Sequence, residues 1–345
     1  MIDWKETDRE FYDRYIRDEL PESLLDVHAH IWTQAHRSAD DESGSAAGWV
    51  HDFCRKNDLP YPELQKLYAA LFAGKTVSSL VFGWVENDVD TQGNNRYVGK
   101  SIRGVPHVRG LAVSKPDYGP DRLVTEVEGN GLIGLKPYPT FVSPDILSKD
   151  VRVTDMITRE QLDIANGLGW VVMLHLPRDK RLADRANIED ILMIEREYPN
   201  VRLIIAHIGR AYCRENIGGA FEALKDTKNV MFDFAANTNE EVFRKMMGIF
   251  GPERVMFGTD LPISAMRLMR EHRNGSYINI VPEGTVGAAA GDPHIREARG
   301  EEAEKITFFV YESVFAMVRA VKSMGLGEVE IEKIFYRNAI DFIGF

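Results

Sequence analysis

Two histidines spaced two apart, His28 and His30 in the stretch Asp26-Val27-His28-Ala29-His30, are the first residues in this sequence equipped for chemistry. Residues two apart in a strand share a face, so both imidazoles point the same way. Two imidazoles so placed can meet one zinc ion at about 2.0–2.1 Å each. The bland alternative is a pair of hydrogen-bonded structural histidines. A series further along the chain weighs against it. Lys136 ends LIGLK, His175 ends WVVMLH, His207 ends VRLIIAH, and Asp260 follows RVMFGT. Each is the first ionisable group after an apolar run. Nitrogen and oxygen donors of these types suit a hard or borderline divalent cation. Three neutral imidazoles and one carboxylate leave room for a water, whose pKa the cation lowers toward neutrality. A nearby carboxylate can then take a proton, and a nearby histidine can polarise an electrophile.

These residues meet only if the runs before them converge. Eight short apolar runs read as strands: Leu24–Ala29, Ser78–Val85, Val108–Val113, Leu132–Lys136, Trp170–His175, Val201–His207, Val230–Phe234 and Arg254–Gly258. VVML, LIIA and VMF are almost wholly apolar, as strands buried on both faces require. Helix-like stretches alternate with them, notably residues 186–198, 240–250, 306–324 and 328–343. The alternation also suits a doubly wound open sheet. The placement of the polar residues favours a (β/α)8 TIM barrel, where residues at the carboxyl ends of the strands gather at one mouth. The expected organisation is a single domain, 1–345, with an N-terminal extension over residues 1–20. Long insertions follow strands 1 and 8, at residues 31–76 and 262–305, the second carrying the glycine-rich PEGTVGAAAGDPH. Long loops at this end of a barrel are where substrate recognition is built, with surface decoration as the alternative.

DVHAH, GLKPYP, MLHLP, IIAHIGR, FGTDLP and the closing IFYRNAIDFI together resemble the amidohydrolase-related (amidohydrolase 2) family of the metal-dependent hydrolase superfamily. That family includes enzymes like aminocarboxymuconate-semialdehyde decarboxylase. The resemblance implies that His28, His30, His175 and Asp260 hold a single divalent metal, zinc first and manganese second. It implies that His207 orients or polarises the substrate and that Asp260 also moves a proton. Three roles stay open for Lys136: a carboxylated bridge to a second metal, a contact to a substrate anion, or a structural salt bridge. Arg178 and Arg210 follow His175 and His207 and have the fork geometry to clamp a carboxylate, or serve as ordinary loop charges. Tyr138 is placed to line the pocket, Trp32 to floor it or to pack, and Asp26 to support the ligands from below. His36, His51, His107, His272 and His294 fall in loops or insertions and read as incidental, with entry of an insertion histidine into the pocket as the alternative.

Three functions compete. The first is hydrolysis of an amide, lactone or ester of a small carboxylated substrate by metal-activated water, with Asp260 as base and His207 at the oxyanion. The second is non-oxidative decarboxylation, or hydration, of a small aromatic or unsaturated acid at the same site. The third is a non-catalytic binding barrel, whose mark would be a missing ligand, and none is missing. The net charge of −11, from 42 Lys and Arg against 53 Asp and Glu, makes nucleic acid an unsuitable partner. There are two cysteines, Cys54 and Cys213, and a charged N-terminus with no apolar leader. The expectation is therefore a cytoplasmic protein with free thiols, away from membranes, and a homo-oligomer, most simply a dimer.

Overall fold

The apolar runs form one sheet because each is buried on both faces and can satisfy its backbone only by pairing with a neighbour. The computed structural model describes residues 4–37, 57–273, 275–285 and 292–345. Eight parallel strands run in chain order: β1 (Ser23–His30), β2 (Thr76–Phe82), β3 (Val108–Ser114), β4 (Gly134–Pro137), β5 (Val171–Leu174), β6 (Arg202–Ile205), β7 (Val230–Asp233) and β8 (Val255–Met256). The free edge of β1 is taken by the chain around β8. Val27 N donates to Phe257 O at 2.9 Å, Asp260 N to His28 O at 2.8 Å, and His30 N to Leu261 O at 2.9 Å. The fold is the expected (β/α)8 barrel.

Strand periodicity divides the core in two. Leu25, Val27, Leu80, Leu111, Val171, Met173, Ile204, Met231 and Met256 pack together inside the barrel. The alternate residues, such as Leu24, Val81, Ala112, Val172, Leu203 and Phe232, pack outward against the helices. The C-terminal helix Asn338–Ile343 packs against the interior set through Ala339 and Ile343. Arg202, at the start of β6, donates to Phe342 O at 3.2 Å and to Ile343 O at 2.6 Å, so this helix closes the end opposite the histidines. Asn338 fixes it further, its amide donating to Pro252 O and Val255 O, both at 2.8 Å.

Several strands are shorter than the apolar runs. Gly169, at φ 66°, caps the helix Arg159–Leu168, and Trp170 N closes that cap onto Ala165 O, so β5 begins at Val171. His175 and His207 lie just past their strands. The expected helices are present as Arg185–Glu197, Glu240–Phe250 and Phe309–Ser323, with residues 328–343 split into three consecutive helical segments, the middle one a π-helix over Lys333–Arg337. The insertion after β8 is not only a glycine-rich loop. It folds into a small sheet of β9 (Met269–Arg273), β10 (Ser276–Pro282) and β11 (Ile295–Ala298), with β10 central. The first insertion contributes the helix Tyr61–Leu71, whereas His51 and Cys54 lie outside the described residues. The N-terminal segment forms the helix Glu6–Tyr15, joined to the second insertion by an Asp8–Arg267 ion pair of 2.6 Å. No helix of the described residues is long and apolar enough to cross a membrane.

Asn338→Ala removes a buried donor and leaves two backbone carbonyls without their partner. A loss of about 1–3 kcal/mol is expected in urea unfolding, with the fold unchanged by circular dichroism. An unshifted midpoint would show that the terminal helix is held by apolar packing alone.

Candidate active site

The site is built upward from a buried carboxylate. Asp26 is fully buried in β1, one turn of the pleat below His28. It accepts four kinds of donor: His28 N at 2.9 Å, Thr259 N at 2.9 Å, Thr259 Oγ1 at 2.5 Å and Tyr68 Oη at 2.6 Å. Burial pushes its carboxyl up to about 7, against the pull of those hydrogen bonds. One side chain thereby ties the backbone of His28 to the backbone before Asp260.

Each of three imidazoles is locked through Nδ1. His28 Nδ1 meets Asp233 Oδ2 at 3.0 Å, His30 Nδ1 meets Gly83 O at 3.0 Å, and His207 Nδ1 meets Ala235 O at 2.9 Å. Carbonyls and carboxylates only accept, so these Nδ1 atoms donate and Nε2 is left facing the site. The Nε2 atoms of His28 and His30 both lie 3.5 Å from the same Asp260 oxygen, Oδ1. Ligand atoms of His28, His30 and Asp260 lie within 4.8 Å of one another, as do those of His28, His207 and Asp233. His207 stands beside His28, ring centres 4.7 Å apart, with His175 5.5 Å beyond it. The buried Nδ1 of His175 has no hydrogen-bond partner.

Burial drives His28 and His175 well below the usual imidazole range, helped by Lys136 and Arg210 respectively, so both are neutral. Burial also acts to raise Asp260, but His207, a hydrogen bond with His30, and His28 outweigh it and keep the carboxylate below its ordinary value. Asp233 is raised by burial. Neutral rings around one ionised carboxylate are the protonation states that metal ligation requires. Local backbone geometry aims them: His207 (φ 55°), Arg210 (φ 64°) and Asp260 (φ 63°) are all left-handed, a cost of about 1–3 kcal/mol each that functional sites commonly carry. Gly258 is required beside them, since a Cβ there would lie 3.0 Å from the Cβ of His28.

A cavity of about 710 Å³ opens over this cluster, and His28, His30, Tyr138, His175, Arg178, His207, Arg210 and Asp260 all lie on its wall. Of the nine residues expected from the sequence to hold metal, act on substrate or contact it, only Lys136 is off the wall. It is fully buried, its Nζ 4.8 Å from the Phe82 ring centre and without a hydrogen bond. Burial pushes it down to about 8, against the pull of Asp233 and Asp260. Arg178 reaches the wall but pairs with Asp184 at 2.9 Å. Arg210 donates to Leu176 O at 3.3 Å. Trp32 packs behind Trp84, ring centres 4.8 Å apart, and it is Trp84 that faces the cavity. Sequence reasoning missed Asp233, although it interrupts the apolar run VMFDF in the same way as the residues that were noticed. It also missed Arg181, Tyr212, Arg270 and Tyr277, which line the outer wall and follow no strand-end pattern.

A family model described as Amidohydrolase matches residues 25–345. The chain belongs to the amidohydrolase family. No curated protein matches it. Among solved structures it is similar to a zinc-bound amidohydrolase from Burkholderia multivorans, at 14% identity and a TM-score of 0.60, covering 93% of this chain and 99% of that one. It is similar to 2,6-dihydroxybenzoate decarboxylase from Rhizobium, at 13% identity and a TM-score of 0.53, covering 94% and 98%. It is similar also to a manganese-bound 5-carboxyvanillate decarboxylase from Novosphingobium aromaticivorans, at 10% identity and a TM-score of 0.56, covering 95% and 98%. At these identities the likeness is one of fold. The family relation and the cluster together make this amidohydrolase a metal-dependent enzyme.

Replacing Asp26 with Ala would strand two buried backbone N–H groups and take from two hydroxyls their carboxylate acceptor. A destabilisation of about 3–5 kcal/mol is expected by urea unfolding, well above the effect of a surface substitution. A change under about 1 kcal/mol would remove Asp26 from its place as the clamp beneath the site.

Proposed function

We propose that this amidohydrolase cleaves a C–N or C–O bond (an amide, lactone or ester) in a small carboxylated substrate. The observation that carries the proposal is the approach of two imidazole Nε2 atoms, from His28 and His30, to one ionised Asp260 oxygen, each at 3.5 Å. His28, His30, His175 and Asp260 are the residues we assign to a single divalent cation, zinc before manganese. The donor set fits such an ion, and the orphaned Nδ1 of His175 is a buried nitrogen in need of a partner. Asp233 binds the His28 ring and the His207 backbone, which gives it a supporting role, and we assign one cation in preference to a second bridged by a carboxylated Lys136.

When bound, the cation supplies Lewis acidity, polarising a carbonyl and acidifying a water. Asp260 is held ionised and takes the water's proton on its carboxylate. His207 has Nδ1 committed to the Ala235 carbonyl, so Nε2 is the atom it turns to the substrate. Protonated, that nitrogen donates to the oxyanion that develops on the substrate and then passes its proton to the leaving group. Arg210, with no carboxylate partner among the described residues, holds the substrate's own carboxylate, and Tyr138, its ring tilted against that of His175 at 4.7 Å, positions the scissile group.

A second reading is non-oxidative decarboxylation. The arginine-rich wall favours it, because the carboxylate held there could itself be the leaving group. Products separate the two. Acid release without CO₂ from a panel of small carboxylated lactones, amides and esters is expected, and CO₂ from carboxylated aromatics would establish the second reading instead. Asp260→Asn should lower kcat by about 10²–10⁴-fold. His175→Ala should lose tightly bound metal by elemental analysis while staying folded. Full metal retention in His175→Ala would sink the ligand assignment.

A further inference from the structure

We infer that the cavity contains a second anion site, formed by Arg181 and Arg270 with Tyr277, and that it binds a second carboxylate at the far end of the substrate. This rests on the proposal that the substrate is a small carboxylic acid and narrows it to a dicarboxylate.

Arg181 lies in the loop after β5, and Arg270 is on β9 in the insertion after β8. Both line the cavity. Their guanidinium carbons sit 4.9 and 4.5 Å from the Tyr212 ring centre, and 5.2 and 4.8 Å from that of Tyr277. Two cations therefore share two aromatic rings. Neither pairs with a carboxylate among the described residues, in a protein whose net charge is −11. Their mutual repulsion is left standing.

Neutral groups hold both forks in place without cancelling their charge. Arg181 donates to Asn216 Oδ1 at 3.1 Å and to Tyr277 Oη at 3.0 Å. Arg270 donates from Nε to Asn279 Oδ1 and from Nη1 to Ala236 O, both at 2.8 Å. Tyr277 is itself braced, with His294 stacked 4.7 Å from it. The remaining N–H groups of each guanidinium are free for an acceptor. If the pair served only to staple β9 and β10 to the barrel, neutral donors would do so without the repulsion. Two fixed, unneutralised guanidiniums on a cavity wall are what a planar anion needs.

The position makes the site distal. Arg210 lines the same cavity, two residues before Tyr212, whose ring both guanidiniums share. A substrate whose first carboxylate lies at Arg210 can extend its second toward Arg181 and Arg270.

Calorimetric titration of the metal-loaded enzyme tests this, using benzene-1,3-dicarboxylate against benzoate and glutarate against butyrate. At least one diacid should bind about tenfold or more tightly than its monoacid, the worth of one charge-assisted fork. Arg181→Gln and Arg270→Gln should each remove that excess and leave monoacid affinity within about twofold. Tyr277→Phe, which removes one hydroxyl, should reduce the excess partially and carries the test should an arginine variant fail to fold. Equal binding of diacid and monoacid by the unaltered enzyme, or an excess that survives in the folded variants, would overturn the second site while leaving the carboxylic-acid proposal intact. Binding of neither acid would instead bring down that proposal, and this inference with it.

Discussion

The seam between β1 and the chain after β8 is the constraint on which the site depends. A barrel mouth gathers residues from many strands, but only this seam must place two histidines and an aspartate against one point. Asp26 does so from beneath, binding the amides of His28 and Thr259 with the same oxygen. The backbone bond from Asp260 N to His28 O completes the tie. The backbone positions of His28, His30 and Asp260 are therefore set by main-chain geometry, before their side chains choose a rotamer.

The buried charges follow from that geometry. Asp26, Asp233 and Lys136 are wholly buried, and Asp260 is nearly so at the cavity wall. Isolated burial of any of them would be costly. Each is offset differently. Asp26 has a full set of donors, and Asp233 receives an imidazole and two amides. Asp260 depends on the imidazoles around it. Lys136 has no hydrogen bond and relies on the field of the two aspartates and the face of Phe82. A divalent cation beside Asp260 would complete a balance that the side chains alone leave uneven.

Much of the barrel was legible in the sequence because burial on both faces leaves an apolar run, and a run ends where the chain reaches the mouth. That single signature located His28, His30, Lys136, His175, His207 and Asp260, although some lie a few residues past their strands. It would have found Asp233 by the same logic. It placed Lys136 with the rest, and this side chain is fully buried against the Phe82 ring, within the field of Asp233 and Asp260 and off the cavity wall. The outer wall was illegible for a different reason. Arg270 and Tyr277 sit on a hairpin whose strands, MREHR and SYINIVP, carry no buried alternation of the barrel kind, and their nearness to Arg181 is a fact of tertiary packing alone.

The left-handed run from His207 to Arg210 couples two parts of the molecule mechanically. Gly209 in its middle is wedged against Leu176 and Leu182, where an added Cβ would come within 2.9 Å of the first and 2.8 Å of the second. The coil cannot shift without moving the loop after β5, and His207 and Arg210 travel as one rigid lever. An inherited change in this loop would displace two cavity-lining side chains together, His207 and Arg210, which makes it a poor place for evolutionary experiment. The hairpin that bears Arg270 is under no such restriction. New substrate ranges in this lineage would arise more readily by editing that hairpin than by altering the coil that carries the histidine.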